Sequence, residues 1–125
     1  DITTKLKYSF FVIKYNMITK TQIEMFKASA DSLFEKKDYT SATILYFKTL
    51  FAIQDYVLLE KTGESPKDHI LRFRKLETHF PDLFQEIDLE FSTYRDTYSK
   101  IIDKQTCDRV KKIIEHDMEK YNIKE

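Results

Sequence analysis

The side chains that could carry chemistry in this chain are few, and they form no complete catalytic pattern. Its three histidines, His69, His79 and His116, have no acidic residue three positions before them, the spacing that metal sites on helices use. The single cysteine, Cys107, can form no internal disulfide and gives no metal-ligand spacing. One glycine in the whole chain excludes a glycine-rich phosphate loop. We therefore predict that the chain binds no metal and no cofactor.

The segment 94–100, YRDTYSK, is where a fixed cation could meet an anionic ligand. Arg95 follows a tyrosine late on a predicted core helix, where a guanidinium can hold a phosphate or a carboxylate. Asp96 and Lys100 are four residues apart, a spacing that favours an ion pair on one helix face. The alternative interpretation is that Arg95 is a surface residue whose aliphatic stem covers apolar side chains.

The central element that must position these residues is a helix over residues 39–62. Between residues 39 and 59 the only charges are Lys48 and Asp55, seven positions apart. That spacing puts both on one narrow polar stripe of the helix, together with Ser41 and Thr62. Other elements must cover the remaining apolar surface, so we predict the core helix of a soluble domain. A membrane span has a suitable length, but Lys48 and Asp55 would each cost about 2 to 3 kcal/mol in hydrocarbon.

The chain before the central helix contains one clear helix signal. Thr21 and Glu24 form a capping box, which predicts that the first helix starts there. Residues 5–15 alternate loosely between apolar and polar types, and a short strand, an extended arm and a helix extension fit this pattern equally well. Residues 1–16 are interpreted as an N-terminal arm or as the remnant of an upstream segment, and residues 17–125 as a single domain.

Three further helices are predicted after Gly63, the expected C-cap of the central helix. Ser65 and Pro66 start a helix over about 66–78, with three inward-facing residues, Ile70, Phe73 and Leu76. Pro81 starts a helix whose apolar seam is Phe84, Ile87, Phe91, Tyr94, Tyr98 and Ile101. Thr106 is the predicted cap of a last helix, whose inner side is Val110, Ile113, Ile114, Asp117, Met118 and Tyr121.

Composition agrees with one helical domain. The 21 basic and 21 acidic residues cancel, so no overall field attracts the chain to nucleic acid or to acidic membranes. One glycine and two prolines in 125 residues leave few tight turns. We predict an all-α fold, an antiparallel up-and-down bundle of four to five helices, in the cytoplasm.

The order of these parts, from about Thr21 to Tyr121, resembles the HEPN superfamily, the helical domain associated with prokaryotic nucleotidyltransferases. Residues 63–69, GESPKDH, are similar to the family's Gly…Pro-x-x-His connection, and Arg95 lies on a tyrosine-bearing helix, as the family's arginine does. Catalytic members carry an arginine and a following histidine with four to six residues between them, and they cleave RNA without a metal at a dimer interface. Here Lys100 occupies the histidine position, and a lysine ammonium is a poor general base at neutral pH.

The resemblance therefore implies a non-catalytic, HEPN-like module. It implies a homodimer that binds a nucleotidyltransferase-type partner protein, a nucleotide or RNA, without a membrane. The implied nucleotide- or RNA-binding residues are Arg95, Lys100, Asp96, Tyr98 and His69. Four leucines off the main seams predict an exposed dimer patch: Leu59, Leu71, Leu83 and Leu89.

Alternatives from other classes remain open. Residues 26–52 also resemble one tetratricopeptide unit, although the pattern does not recur from Glu64 onward. A tetratricopeptide-like adaptor or a plain dimerisation bundle is thus the first alternative. The second is a metal-independent HEPN ribonuclease of toxin type, because Arg74–His79 and Arg109–His116 also fit the loose arginine–histidine spacing.

Overall fold

The computed structural model describes residues 1–123, and this part of the chain is built from five α-helices without a β-strand. They are α1 (Ile2–Glu35), α2 (Tyr39–Thr62), α3 (His69–His79), α4 (Pro81–Asp96) and α5 (Lys104–Lys120). The predicted all-α class is confirmed. A three-residue turn joins α1 to α2, so these two long helices form a hairpin.

Helix α1 begins much earlier than the sequence pattern predicted. Asp1 is its N-cap, and its carboxylate accepts a hydrogen bond from the backbone N–H of Thr4 at 2.8 Å. Thr21 lies inside the helix, so the predicted start at the capping box is wrong. The strand and arm interpretations of residues 5–15 are also wrong, whereas the helix extension is confirmed. Residues 1–35 contain no glycine or proline, so no helix-breaking residue interrupts α1 before its end at Glu35.

Helix α2 is the centre of the fold, as predicted, and it contacts all four other helices. Half of its 24 residues are buried. Asp38 caps its first turn, and Gly63, the predicted C-cap, adopts the left-handed conformation, with φ of 76°, that ends the helix. By length and composition alone α2 is apolar enough to cross a membrane, but 61% of its most apolar window is buried inside the protein.

Helices α3 and α4 differ from their predicted bounds. Helix α3 begins at His69 because Asp68, rather than Ser65, supplies the cap; its carboxylate accepts from the N–H of Leu71 at 2.9 Å. Ile70 is 64% exposed, so its predicted inward orientation is wrong. Helix α4 begins at Pro81 as predicted but ends at Asp96, where the chain turns.

The early end of α4 changes its seam. Tyr98 and Ile101 lie beyond the helix and are exposed, so their predicted core positions are wrong. Helix α5 is capped by Asp103, which accepts from the N–H of Thr106 at 2.8 Å, rather than by Thr106 itself. In each of these regions an aspartate cap or a turn, rather than the apolar periodicity, sets where the helix begins or ends.

The predicted leucine patch does not form. Leu59 and Leu83 are buried, Leu71 is half-buried, and only Leu89 is largely exposed, at 79%. The core instead joins the buried side of α2 to apolar residues of the other helices, among them Ile23, Leu76, Leu83, Ile87, Val110 and Ile114.

Candidate ligand-binding cleft

A cleft of about 440 Å³ opens where α1, α2, α3 and the C-terminal end of α4 meet. We call it the Lys48 cleft. Its lining is mostly polar and aromatic: Gln22, Phe26, Ile44, Lys48, Phe51, Ala52, Asp55, His69, Arg72, Tyr94, Thr97 and Tyr98. The polar stripe of α2 therefore lines the cleft, because Lys48 and Asp55 both belong to its lining.

An ion pair fixes the inner part of the cleft. Arg72 donates from Nε and Nη2 to the two carboxylate oxygens of Asp55, at 2.8 and 3.0 Å. The guanidinium also lies over the ring of Phe51, 5.2 Å from its centre. Because two of its nitrogens are held by Asp55, Arg72 is a positioned element rather than a free cation.

His69 is held by the third nitrogen of the same guanidinium. Nη1 of Arg72 lies 2.6 Å from Nδ1 of His69. The imidazole also packs on Phe51, with 4.7 Å between ring centres. Burial and the positive charge of Arg72 lower the pKa of His69, although Asp55 and Asp68 act in the opposite direction. The histidine is therefore neutral at physiological pH.

Tyr94 joins the aromatic wall of the cleft. Its ring contacts five others, those of Phe47, Phe51, His69, Phe91 and Tyr98. Its hydroxyl shares a hydrogen bond of 2.8 Å with the hydroxyl of Tyr98. Burial, and next this hydrogen bond, raise the pKa of Tyr94 to about 12, so the hydroxyl keeps its proton.

Lys48 is the cation of the cleft that has no carboxylate partner in the described part of the chain. It is exposed, and its ammonium lies 5.8 Å from the centre of the Phe26 ring. Tyr98, just beyond the end of α4, adds an exposed aromatic ring, whereas the ring of Phe26 is half-buried. A cation next to aromatic faces suits a ligand that carries both an anionic group and a planar ring.

The cleft contains two of the five residues that the resemblance implied, His69 and Tyr98. The other three lie outside its lining. Arg95 is exposed and lies over the ring of Phe91 at 5.8 Å, while Asp96 and Lys100 form the predicted i,i+4 ion pair at 3.4 Å. Arg95 is thus a surface arginine whose guanidinium, rather than its aliphatic stem, lies over an aromatic ring.

Sequence reasoning missed Arg72 as a site residue. Its spacing from Asp55 follows no helical rule, since the two residues lie on different helices, and a composition-based search has no reason to single it out. Lys48 and Asp55 were visible as a polar stripe, but the stripe alone did not say which neighbours would face it.

A larger cavity, of about 770 Å³, lies between α1 and α5. It is lined by four carboxylates, those of Glu24, Asp31, Glu115 and Glu119, with Lys27 between Asp31 and Glu115. Its negative charge disfavours a phosphate. No cluster of histidine, cysteine and acidic side chains in residues 1–123 has the arrangement of a metal site. The Lys48 cleft is thus the better candidate for an anionic ligand.

Comparison with known protein families, with curated proteins and with solved structures finds no match to this chain. Any functional conclusion therefore depends on the cleft and on the resemblance in layout given above.

Proposed function

We propose that this chain is a non-catalytic, HEPN-like helical module that binds a nucleotide, free or as part of single-stranded RNA, in the Lys48 cleft. The observation that supports the proposal is that Lys48, the half-buried ring of Phe26 beneath its ammonium and the exposed ring of Tyr98 line one opening. An ammonium can hold a phosphate as a point charge, and an aromatic face can stack on a base of any sequence. The proposed location is the cytoplasm.

The absence of catalysis is part of the proposal. Arg72 is the buried guanidinium of the cleft, and Asp55 occupies the face with which it would bind a phosphate. Lys100 replaces the histidine that the family's ribonucleases use, and it pairs with Asp96. We expect no appreciable cleavage of structured RNA incubated with the purified protein in EDTA. Cleavage that is lost in Arg95→Ala or in His79→Ala would contradict this expectation.

Binding is tested by calorimetry with AMP and with an oligouridylate of about ten nucleotides. The variant Lys48→Gln should weaken binding and reduce its salt dependence, since it removes a phosphate contact. Tyr98→Ala should weaken binding about fivefold or more, the usual effect of losing one base-stacking ring. Lys112→Gln is the matched control, because Lys112 lies on α5 and pairs with Asp108 away from the cleft.

The same experiment compares the cleft with the site implied by the resemblance. If Arg95→Ala and Lys100→Ala weaken binding while Lys48→Gln does not, the ligand lies at the end of α4 and the proposed cleft is wrong. Failure of both probes to bind at low salt would remove the nucleotide-binding proposal itself.

A homodimer is the second part of the proposal. Ile2, Leu6 and Phe10 follow one another at intervals of four on α1, and all three are exposed. Such an apolar stripe on one side of a helix suits a second copy of the same helix. Light scattering at high micromolar concentration should give a dimer mass, and Leu6→Glu should shift it to the monomer. Leu89→Glu, at an exposed leucine on α4, is the control, and a monomer mass for the parent chain would contradict the proposal.

A partner of nucleotidyltransferase type remains the expectation that the resemblance carries. A tetratricopeptide-like adaptor would differ in its ligand, because it would bind a peptide rather than a nucleotide. The calorimetric probes separate these two classes.

A further inference from the structure

We infer that Arg72 acts as a positioning residue, which holds His69 as the neutral tautomer with its proton on Nε2. The inference starts from the distance of 2.6 Å between Nη1 of Arg72 and Nδ1 of His69. A guanidinium nitrogen only donates hydrogen bonds, so Nδ1 must accept. If the imidazole were protonated, Nδ1 would carry a hydrogen, and two N–H donors would face each other across that contact. The contact therefore requires an imidazole that is neutral and carries its proton on the other nitrogen.

The orientation of Arg72 is not free to change. Nε and Nη2 are bound to the two oxygens of Asp55, which leaves the plane and the direction of the guanidinium fixed. The ring of Phe51 lies against both the guanidinium and the imidazole. Asp55, Arg72 and His69 thus form a chain in which each member sets the orientation of the next.

The consequence for the cleft is a neutral N–H donor at His69 rather than a second cation. Such a donor suits an uncharged acceptor, for example a carbonyl oxygen or a ring nitrogen of a nucleobase. A phosphate would gain more from the ammonium of Lys48. This step rests on the proposed function. It orients the ligand so that its phosphate lies toward Lys48 and an acceptor of its base lies against Nε2 of His69.

The tautomer is tested first, in the ligand-free protein. Long-range ¹H–¹⁵N correlation spectra of the histidine rings at pH 7 should show His69 with a protonated Nε2 and an unprotonated Nδ1. The exposed His79 serves as a reference in the same spectrum, and the variant His69→Phe assigns the signals. The titration midpoint of His69 should lie below the ordinary value of about 6.5. A proton on Nδ1, an averaged tautomer pattern or a charged ring at pH 7 would overturn the inference.

The role of Arg72 is tested with Arg72→Lys. This variant keeps a charge that Asp55 can bind, but it loses the planar fork. In a variant that stays folded, the His69 signals should move toward a mixture of tautomers, because no fixed donor then holds Nδ1 as an acceptor. Unchanged ¹⁵N shifts in a folded variant would show that another group sets the tautomer. If the variant does not fold, the spectrum of the parent protein still decides the first point.

The direction of the ligand is tested with three probes: AMP, ribose 5-phosphate and inorganic phosphate. AMP should shift the Nε2 signal of His69, and the two probes without a base should not. His69→Phe keeps a ring against Phe51 and removes the donor, so AMP should bind about 3- to 10-fold more weakly. Binding of AMP that depends on Lys48 but leaves His69 unmoved would overturn the assigned direction and leave the proposed function in place. No binding of any probe would overturn both, and the tautomer would be unaffected.

Discussion

Arg72 binds both carboxylate oxygens of Asp55, although 17 residues separate them in the sequence. The pair joins α3 to the central helix, and its side chains are only 10% and 24% exposed. A charge pair this well covered contributes little net stability compared with apolar residues of the same size, but loss of one partner is expensive. Its geometry therefore serves to orient the cleft more than to stabilise the fold.

The first prediction tests whether removing one partner of the Asp55–Arg72 pair costs more stability than replacing both. Asp55→Leu should lower the free energy of unfolding by about 3 kcal/mol, because Arg72 remains covered without its carboxylate. The double variant Asp55→Leu/Arg72→Met should lose less than the single variant, since no uncompensated charge remains. Urea titration measures both, with Lys112→Met as a control in a surface pair whose loss should leave stability unchanged. A double variant that loses the sum of both single changes would contradict this account.

The second prediction concerns the core behind the cleft. Phe51 is buried and contacts Phe47, Tyr94 and His69. Phe51→Ala should lower the free energy of unfolding by about 3 to 5 kcal/mol, through lost burial and the cavity that remains. Leu89→Ala, at an exposed position, should change it by no more than about 0.5 kcal/mol. If the Phe51 variant unfolds at the same urea concentration as the parent chain, the assigned core is wrong.

The fold could be predicted best where the signals were local and unopposed. Helix α2 is confirmed from Tyr39 to Thr62, because the apolar run and the only glycine agree there. The start of α1 could not be predicted from the capping box at Thr21, because such a pair also occurs inside a helix that already continues. The start of α3 depends on whether Ser65 or Asp68 caps it. Both are good cap residues, so the sequence alone did not decide between them.

The candidate site was less predictable than the fold. Tyr98 and His69 were found through a resemblance in layout, and both line the cleft. Arg72 and Phe26 reach it only because α3 and α1 pack on the same side of α2, and helix packing of this kind leaves no periodic signal in the sequence. From its sequence neighbours, Arg95 looked like the cation of the site. In the structure it does not line the cleft and instead lies over the ring of Phe91.

The third prediction concerns Gln54, which is fully buried on α2; the described residues offer no hydrogen-bond partner to its Oε1 or its Nε2. A buried amide without partners costs about 1 to 3 kcal/mol. Gln54→Met keeps nearly the same shape, so it should raise the free energy of unfolding by about 1 kcal/mol. Gln85→Met, the same change at an exposed position of α4, is the control. A destabilised Gln54 variant would mean that the amide has a role that the apolar side chain cannot fill.

The last prediction comes from two carboxyl groups between α4 and α5. Glu86 lies close to Asp117, and Glu86 Oε1 and Asp117 Oδ2 are both buried without a hydrogen-bond donor among the residues that the structure describes. Burial, and then the neighbouring Asp117, raise the pKa of Glu86 to about 9, while Lys120 acts in the opposite direction and Glu90 adds to the rise. Burial also raises the pKa of Asp117, against the interaction with Glu86 and the charges of His116 and Lys120. The pair therefore keeps a proton at neutral pH, which lets one carboxyl donate to the other.

The sign of the pH dependence follows from that proton. Between pH 4.5 and about 9 the folded chain holds a proton on Glu86 that the unfolded chain has released, so this group's contribution to stability falls as the pH rises. One proton gives a slope of at most about 1.4 kcal/mol per pH unit. Glu86→Gln has a neutral donor at every pH and should remove this slope. Urea titration from pH 5 to 9 should show the stability of Glu86→Gln, relative to the parent chain, rising steadily. The control Glu77→Gln, at an exposed position of α3, should track the parent. Parallel curves for Glu86→Gln and the parent would show that the pair does not hold the proton, because only a group that binds protons differently in the folded and unfolded chains can change the slope.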